Sequence, residues 1–222
     1  MSAPGVFITL EGGEGAGKTT QAPLLADHLK QAGHAVVATR EPGGTAIGAA
    51  VRAILLDPAS TALAPEAELL LYAADRAQHV AELILPALSA GKIVICDRYY
   101  DATLAYQGFG RGLDRAFIER IHQNILEKAR PHLTLFFDCP VETGLKRAQS
   151  ATHHSEARFE AYEIEFHERV RRGYLALCAE EPERFRIIDA SADQEDVRLA
   201  MIRAVDDFFK AAPYKKFNVK PG

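Results

Sequence analysis

Apolar and polar positions alternate along this chain in two rhythms. Short β-branched runs at 6–10, 35–39, 92–96, 134–138 and 186–189 read as strands. Longer stretches between them carry the 3.6-residue spacing of helices. Strands interleaved with helices predict an α/β fold, a five-stranded parallel sheet with helices on both faces. Helices are expected over 18–31, stopped by Gly33, and over 45–56 behind a Thr45 cap. Others are expected at 65–90, with Pro86 bending the end, at 99–107, at 114–129 behind Asp114, after Pro140, at 158–180 and at 193–210. Pro23 lies about one turn into the first helix and removes a backbone hydrogen bond, so an irregularity is expected there. Segments 40–44 and 108–112 hold too many breakers for helix and read as loops. Apolar residues nearly vanish over 149–156, which predicts a mobile surface segment, and 213–222 reads as a loosely ordered basic tail.

The first strand and first helix are joined by Gly12-Gly13-Glu14-Gly15-Ala16-Gly17-Lys18-Thr19. Two glycines separated by four residues, followed by Lys-Thr in a strand–loop–helix setting, have the spacing of a phosphate-binding loop. Its N–H groups would curl round a phosphate at the positive end of the helix. Lys18 would reach the β- and γ-phosphates and the Thr19 hydroxyl would hold Mg²⁺. This chain is therefore expected to bind a nucleoside triphosphate. No Asn-Lys-x-Asp guanine-reading motif is present, which disfavours a GTPase switch and leaves a compact P-loop kinase.

At 222 residues the length suits a single domain, taken as 1–222 with no interdomain linker. A net charge of −4 argues against a broad nucleic-acid or anionic-membrane surface. No apolar run approaches a membrane span, and 1–5 does not read as a signal peptide. The three cysteines share no metal-ligand spacing and read as reduced thiols of a cytoplasmic protein.

Candidate chemistry gathers at the strands' C-terminal ends, where open α/β sheets bind ligands. Asp97 closes its strand and suits a magnesium shell, or caps the following turn. Arg98 beside it suits a phosphate clamp, with Arg40 and Arg52 as further anion clamps. Arg52 sits beside a stripe of Ile47, Val51, Ile54 and Leu55 expected to be buried. Glu41 either fixes these arginines or touches the metal shell. Tyr72 and Arg76, one helical turn apart, can stack on a base and bond its edge, or serve as a core tyrosine with a salt-bridged arginine. His153 and His154 lie adjacent in a polar stretch and read as solvated.

Segments 8–20, 39–45, 72–76, 97–99, 104–108 and 110–112 together resemble those of bacterial thymidylate kinases over essentially the whole chain. The resemblance implies transfer of the γ-phosphoryl of ATP to dTMP with Mg²⁺, usually by a homodimer. It gives Tyr72 the thymine-stacking position, more often Phe, and Arg76 the bond to the base carbonyl. It puts Thr103 and Gln107 near the pyrimidine edge and Tyr106 against the sugar. Arg52 and Arg98 match acceptor-phosphate clamps, and Glu14 matches a carboxylate near the acceptor's sugar and phosphate. The polar gap corresponds to the family's lid, about 147–158. Gly15 stands where some relatives carry a phosphate-loop arginine, so a lid arginine is expected instead. Arg147 and Arg158 flank the lid, with Gln149 where some relatives carry arginine and Ala102 in place of a common serine. The competing readings are a kinase for another pyrimidine nucleotide or deoxynucleoside, and a non-catalytic ATP-binding module.

Overall fold

The computed structural model describes residues 5–57, 59–60, 62–150 and 162–211. Its centre is β1 (Val6–Gly12), buried along its whole length. Val6, Ile8 and Leu10 point to one face of the sheet and Phe7 to the other, as strand alternation requires. β1 pairs in parallel with β3 (Ile93–Asp97) and β4 (Leu133–Asp138). Outside them lie β2 (Val36–Arg40) and β5 (Phe185–Asp189), giving the order β2-β3-β1-β4-β5. The expected five-stranded parallel sheet is what forms.

One face is covered by α1 (Lys18–Gln31) and a C-terminal helix, Gln194–Lys210, through Leu25, Leu29, Met201 and Phe208. The other carries α3 (Pro65–His79) and a helix over Ile164–Glu180, through Leu69, Tyr174 and Leu177. α2 (Ala46–Leu56) packs on α3. Two caps form as the sequence predicts, and a third, Asp193, forms where the last helix is expected to begin. Thr45 accepts from Gly48 N, Asp114 from Phe117 N at the head of a helix over Arg115–Leu126, and Asp193 from Glu195 N and Asp196 N.

The helix expected over 65–90 is three pieces. α3 passes through a π-helical turn, Val80–Ile84, into α4 (Leu85–Ser89). Pro86 cannot join an α-ladder and its ring would meet the Glu82 carbonyl, so widening the preceding turn lets the chain run on. The loop expected at 108–112 also differs. α5 (Tyr100–Thr103) runs straight into a π-helix, Leu104–Gly110. Here glycine serves close approach, since a Cβ at Gly110 would come 2.7 Å from the Phe166 ring.

α6 is the helix Arg115–Leu126, α7 spans Val141–Ser150, α8 is Ile164–Glu180 and α9 is Gln194–Lys210. α8 begins six residues later than the expected start at 158, and the intervening 158–161 lie outside the described residues. So do most of the lid and the whole of the expected tail, 213–222. α1 is assigned as helix straight through Pro23, so the irregularity expected there reduces to one missing bond to the Thr19 carbonyl. The stripe expected to be buried on α2 splits: Leu55 is buried beside Gly48 and Val51 is half-buried, while Ile47 and Ile54 are exposed.

Candidate active site

The loop after β1 turns through Gly12, Gly15 and Gly17, at φ 147°, 63° and 89°, angles that L side chains rarely adopt. A Cβ at Gly15 would collide with the Gly144 carbonyl of α7, which accounts for the absence of a loop arginine. Lys18 Nζ donates to Gly12 O (3.0 Å) and Gly13 O (2.8 Å), bracing the loop it serves. Thr19 Oγ1 donates to Asp97 Oδ2 at 2.9 Å, so the two predicted metal ligands meet at the mouth of the loop.

Next to the loop lies a half-open cleft enclosing about 400 Å³, part of it open to solvent. Glu14, Glu41, Tyr72, Arg76, Arg98, Thr103, Tyr106 and Gln107, all singled out from the sequence, line it. Thr103, Tyr106 and Gln107 share one face where α5 enters the π-helix, a spacing of i, i+3 and i+4. Arg98 takes a left-handed backbone, φ 67°, which turns its guanidinium onto Gly12 O (2.8 Å) and both Glu14 oxygens (3.1 Å each). Tyr106 donates to Glu14 Oε1 at 2.6 Å and lies under the Arg98 guanidinium, 4.9 Å from it.

Arg76 is fully buried and makes four bonds: Nε to Glu41 (2.8 Å), NH1 to Thr103 (2.9 Å) and His122 (2.8 Å), NH2 to Tyr99 O (2.9 Å). Burial alone would lower its pKa, but the Glu41 carboxylate holds it above the ordinary value. Glu41 gives one oxygen to Arg76 and the other to His79 Nδ1 (2.8 Å), so the arginine it grips is Arg76, a pairing the sequence reading does not name. His122 bonds Ile118 O through Nδ1 (2.9 Å), so that nitrogen carries the proton and Nε2 accepts from Arg76. Burial, then the Arg76 charge, lower its pKa to about 3 and keep the ring neutral.

Asp75 accepts from Gly43 N (3.0 Å), holding the loop that carries Glu41, and burial followed by the Glu41 charge push its carboxyl up to about 6. Gln107 donates to Glu68 (2.9 Å), which Arg111 grips with Nε (3.2 Å) and NH2 (2.8 Å). Sequence reasoning missed Glu68, Asp75, His79, Tyr99 and His122. For Asp75, Arg76 and His79 one signal existed: charged residues clustered on a helix that packs inward.

The remaining expected residues fall elsewhere. Arg52 donates to Pro42 O (3.0 Å) at the cavity's rim. Arg40 ends β2 beside Asp97 and is exposed. Arg147 donates to the carbonyls of Ala190 (2.6 Å) and Ser191 (3.1 Å). Arg158 lies outside the described residues, as do His153 and His154.

A parallel sheet whose phosphate loop opens beside a built second cavity defines a P-loop nucleotide kinase. The model of the thymidylate kinase family matches residues 10–201. A thymidylate kinase of Geotalea uraniireducens is 54% identical over 205 residues, 90% of this chain and 96% of that protein. One from Trichlorobacter lovleyi is 54% identical over 204 residues, 90% of this chain and 96% of that one. The crystal structure of thymidylate kinase from Ehrlichia chaffeensis superimposes with a TM-score of 0.76 at 32% identity, covering 91% of this chain and 100% of that one. The chain belongs to the thymidylate kinase family.

Proposed function

We propose that this chain transfers the γ-phosphoryl of ATP to dTMP, with the acceptor in the cavity beside the phosphate loop. The convergence of Tyr72, Arg76, Arg98, Thr103, Tyr106 and Gln107 on that one cavity carries the reading. Residues Gly12, Gly13, Glu14, Gly15, Ala16, Gly17, Lys18 and Thr19 take the donor's phosphates. Tyr72 stacks on the thymine, Arg76 and Gln107 face its polar edge, and Tyr106, fixed by Glu14, fills the space where a ribose 2′-hydroxyl would fall. Arg98 and Arg52 receive the acceptor phosphate, with Arg40 at the outer edge.

A phosphate monoester has a second pKa of roughly 6, so the attacking oxygen is ionised at neutral pH without a base. The residues' task is to bring two polyanions together and to meet the charge that spreads over the transferring group. Lys18 and Arg98 meet it from the loop side and Arg158 from the lid. Arg147, its donors engaged by carbonyls, shapes the loop after β5. Mg²⁺ takes one or two protein oxygens together with phosphates and water, and the Thr19–Asp97 pair fits that need. When bound, it neutralises charge on the phosphate oxygens.

We also infer a homodimer in the cytoplasm. The outward stripe of α2 and α3, with Ile47, Ile54 and Leu70 each about half exposed, is its interface. Among the described residues no helix is long and apolar enough to cross a membrane. A coupled assay with ATP, Mg²⁺ and a panel of nucleoside monophosphates tests the reaction. Turnover with dTMP well above UMP and CMP is expected; preference for either of those, or fast ATP hydrolysis without acceptor, overturns it.

A further inference from the structure

Glu11 is the penultimate residue of β1 and has no exposure to water. Its Oε1 accepts from the backbone N–H of Tyr99 (2.8 Å), and its Oε2 from the Tyr174 hydroxyl of α8 (2.9 Å). One residue earlier, Leu10 O accepts from Arg98 N (2.9 Å). Two consecutive N–H groups, those of Arg98 and Tyr99, are thus captured by two consecutive residues of β1. Between them lies the one non-glycine residue with positive φ among those described, Arg98. Such a backbone is strained and persists only where its surroundings over-determine it.

The strain has a visible result: it aims the Arg98 guanidinium back across the strand onto Gly12 O and Glu14. A leucine at position 11 would fill similar space without burying a charge, but would leave the Tyr99 N–H unpaired. Tyr174 is itself fixed, stacked on Phe136 with ring centroids 5.0 Å apart, so the carboxylate is held from both sides.

We propose that Glu11 is a positioning residue for phosphoryl transfer, its carboxylate locking the left-handed turn that presents Arg98 to the acceptor phosphate. It touches neither substrate and acts through Arg98. The role requires reach and an acceptor oxygen, and does not require charge.

The inference rests on the reaction proposed above, and two variants separate reach from charge. Glu11→Gln keeps an oxygen at the Tyr99 N–H and lets its amide donate to the Tyr174 oxygen. Glu11→Asp keeps the charge but draws the oxygen back by one methylene. Steady-state kinetics with ATP, Mg²⁺ and dTMP should show kcat down ~10–100-fold in Glu11→Asp, with KM for dTMP raised and KM for ATP within ~2-fold of wild type. Glu11→Gln should recover kcat to within ~3-fold of wild type. In the double variant Glu11→Asp/Arg98→Ala, kcat should fall no further than in Arg98→Ala alone, since the first change acts through the second residue. Wild-type rates in Glu11→Asp, a deeper loss in Glu11→Gln than in Glu11→Asp, or multiplied losses in the double variant would overturn the role. Loss of folding in Glu11→Asp, seen as a missing thermal transition, leaves the Glu11→Gln rate to decide, and a rate as low as that of Arg98→Ala overturns it. If the proposed reaction itself is wrong, wild type shows no turnover of dTMP, which none of these outcomes resembles.

Discussion

In the acceptor cavity Arg76, Arg98, Glu14 and Glu41 are nearly withdrawn from water and bound to one another, whereas at the mouth of the phosphate loop Thr19 is exposed and Asp97 half-buried. The first region is finished before any ligand arrives. Its guanidiniums are oriented by carboxylates, by a neutral histidine and by backbone carbonyls, so little rotamer freedom is left to lose on binding. The second is a glycine-rich main-chain cradle with a hydroxyl and a carboxylate, which on the proposed reading phosphates and metal complete. On the proposed reading, recognition of the acceptor is therefore preorganised, and charge stabilisation at the transferring group is assembled on binding.

The largest effects should come from the seam between the two regions. Lys18→Ala and Arg98→Ala should each cut kcat by ~10³-fold, the scale of cationic groups in phosphoryl transfer, while thermal melts still show a cooperative transition. Arg98→Ala should also raise KM for dTMP, and Lys18→Ala should leave it nearly unchanged. A shared KM effect would mean that the regions are not separable. Next comes Arg76→Lys, which keeps the charge but cannot supply four donors in a plane. It should lower stability by about 1–3 kcal/mol, as leaving buried acceptors without their donors does, and raise KM for dTMP more than it lowers kcat. An unchanged melting temperature would show that the cavity's charges are less tightly built than the geometry says.

The smallest effect is a pH dependence. Asp75, with its carboxyl raised to about 6, penalises the native state fully above that pH. The penalty fades as pH falls toward the unfolded value of about 3.9. Between about pH 8 and about pH 5 wild type should gain stability relative to Asp75→Asn, read as a narrowing or reversal of their melting difference. A difference independent of pH would contradict the raised carboxyl.

What the sequence disclosed was local. The phosphate loop is a run of eight residues, and the caps at Thr45 and Asp114 depend on a neighbour three positions away. The side chains of the cavity were legible because the family resemblance carries them. Their supports were not, since His122 reaches Arg76 from 46 positions away and Glu68 reaches Gln107 from 39. No periodicity encodes such pairs. The two π-helical segments escaped because proline and glycine read as breakers. In the fold they serve a widened turn at Pro86 and a close helix contact at Gly110. The α2 stripe misled for a third reason, since apolar spacing marks a face to be covered without saying whether the same chain covers it.

Preassembly of the acceptor side is tested most directly by titrating dTMP calorimetrically into the protein with no ATP and no Mg²⁺ present. Saturable binding at one site per chain is expected, retained in Lys18→Ala and weakened at least ~10-fold in Arg76→Lys. Absence of dTMP binding until ATP and Mg²⁺ are added would contradict the account.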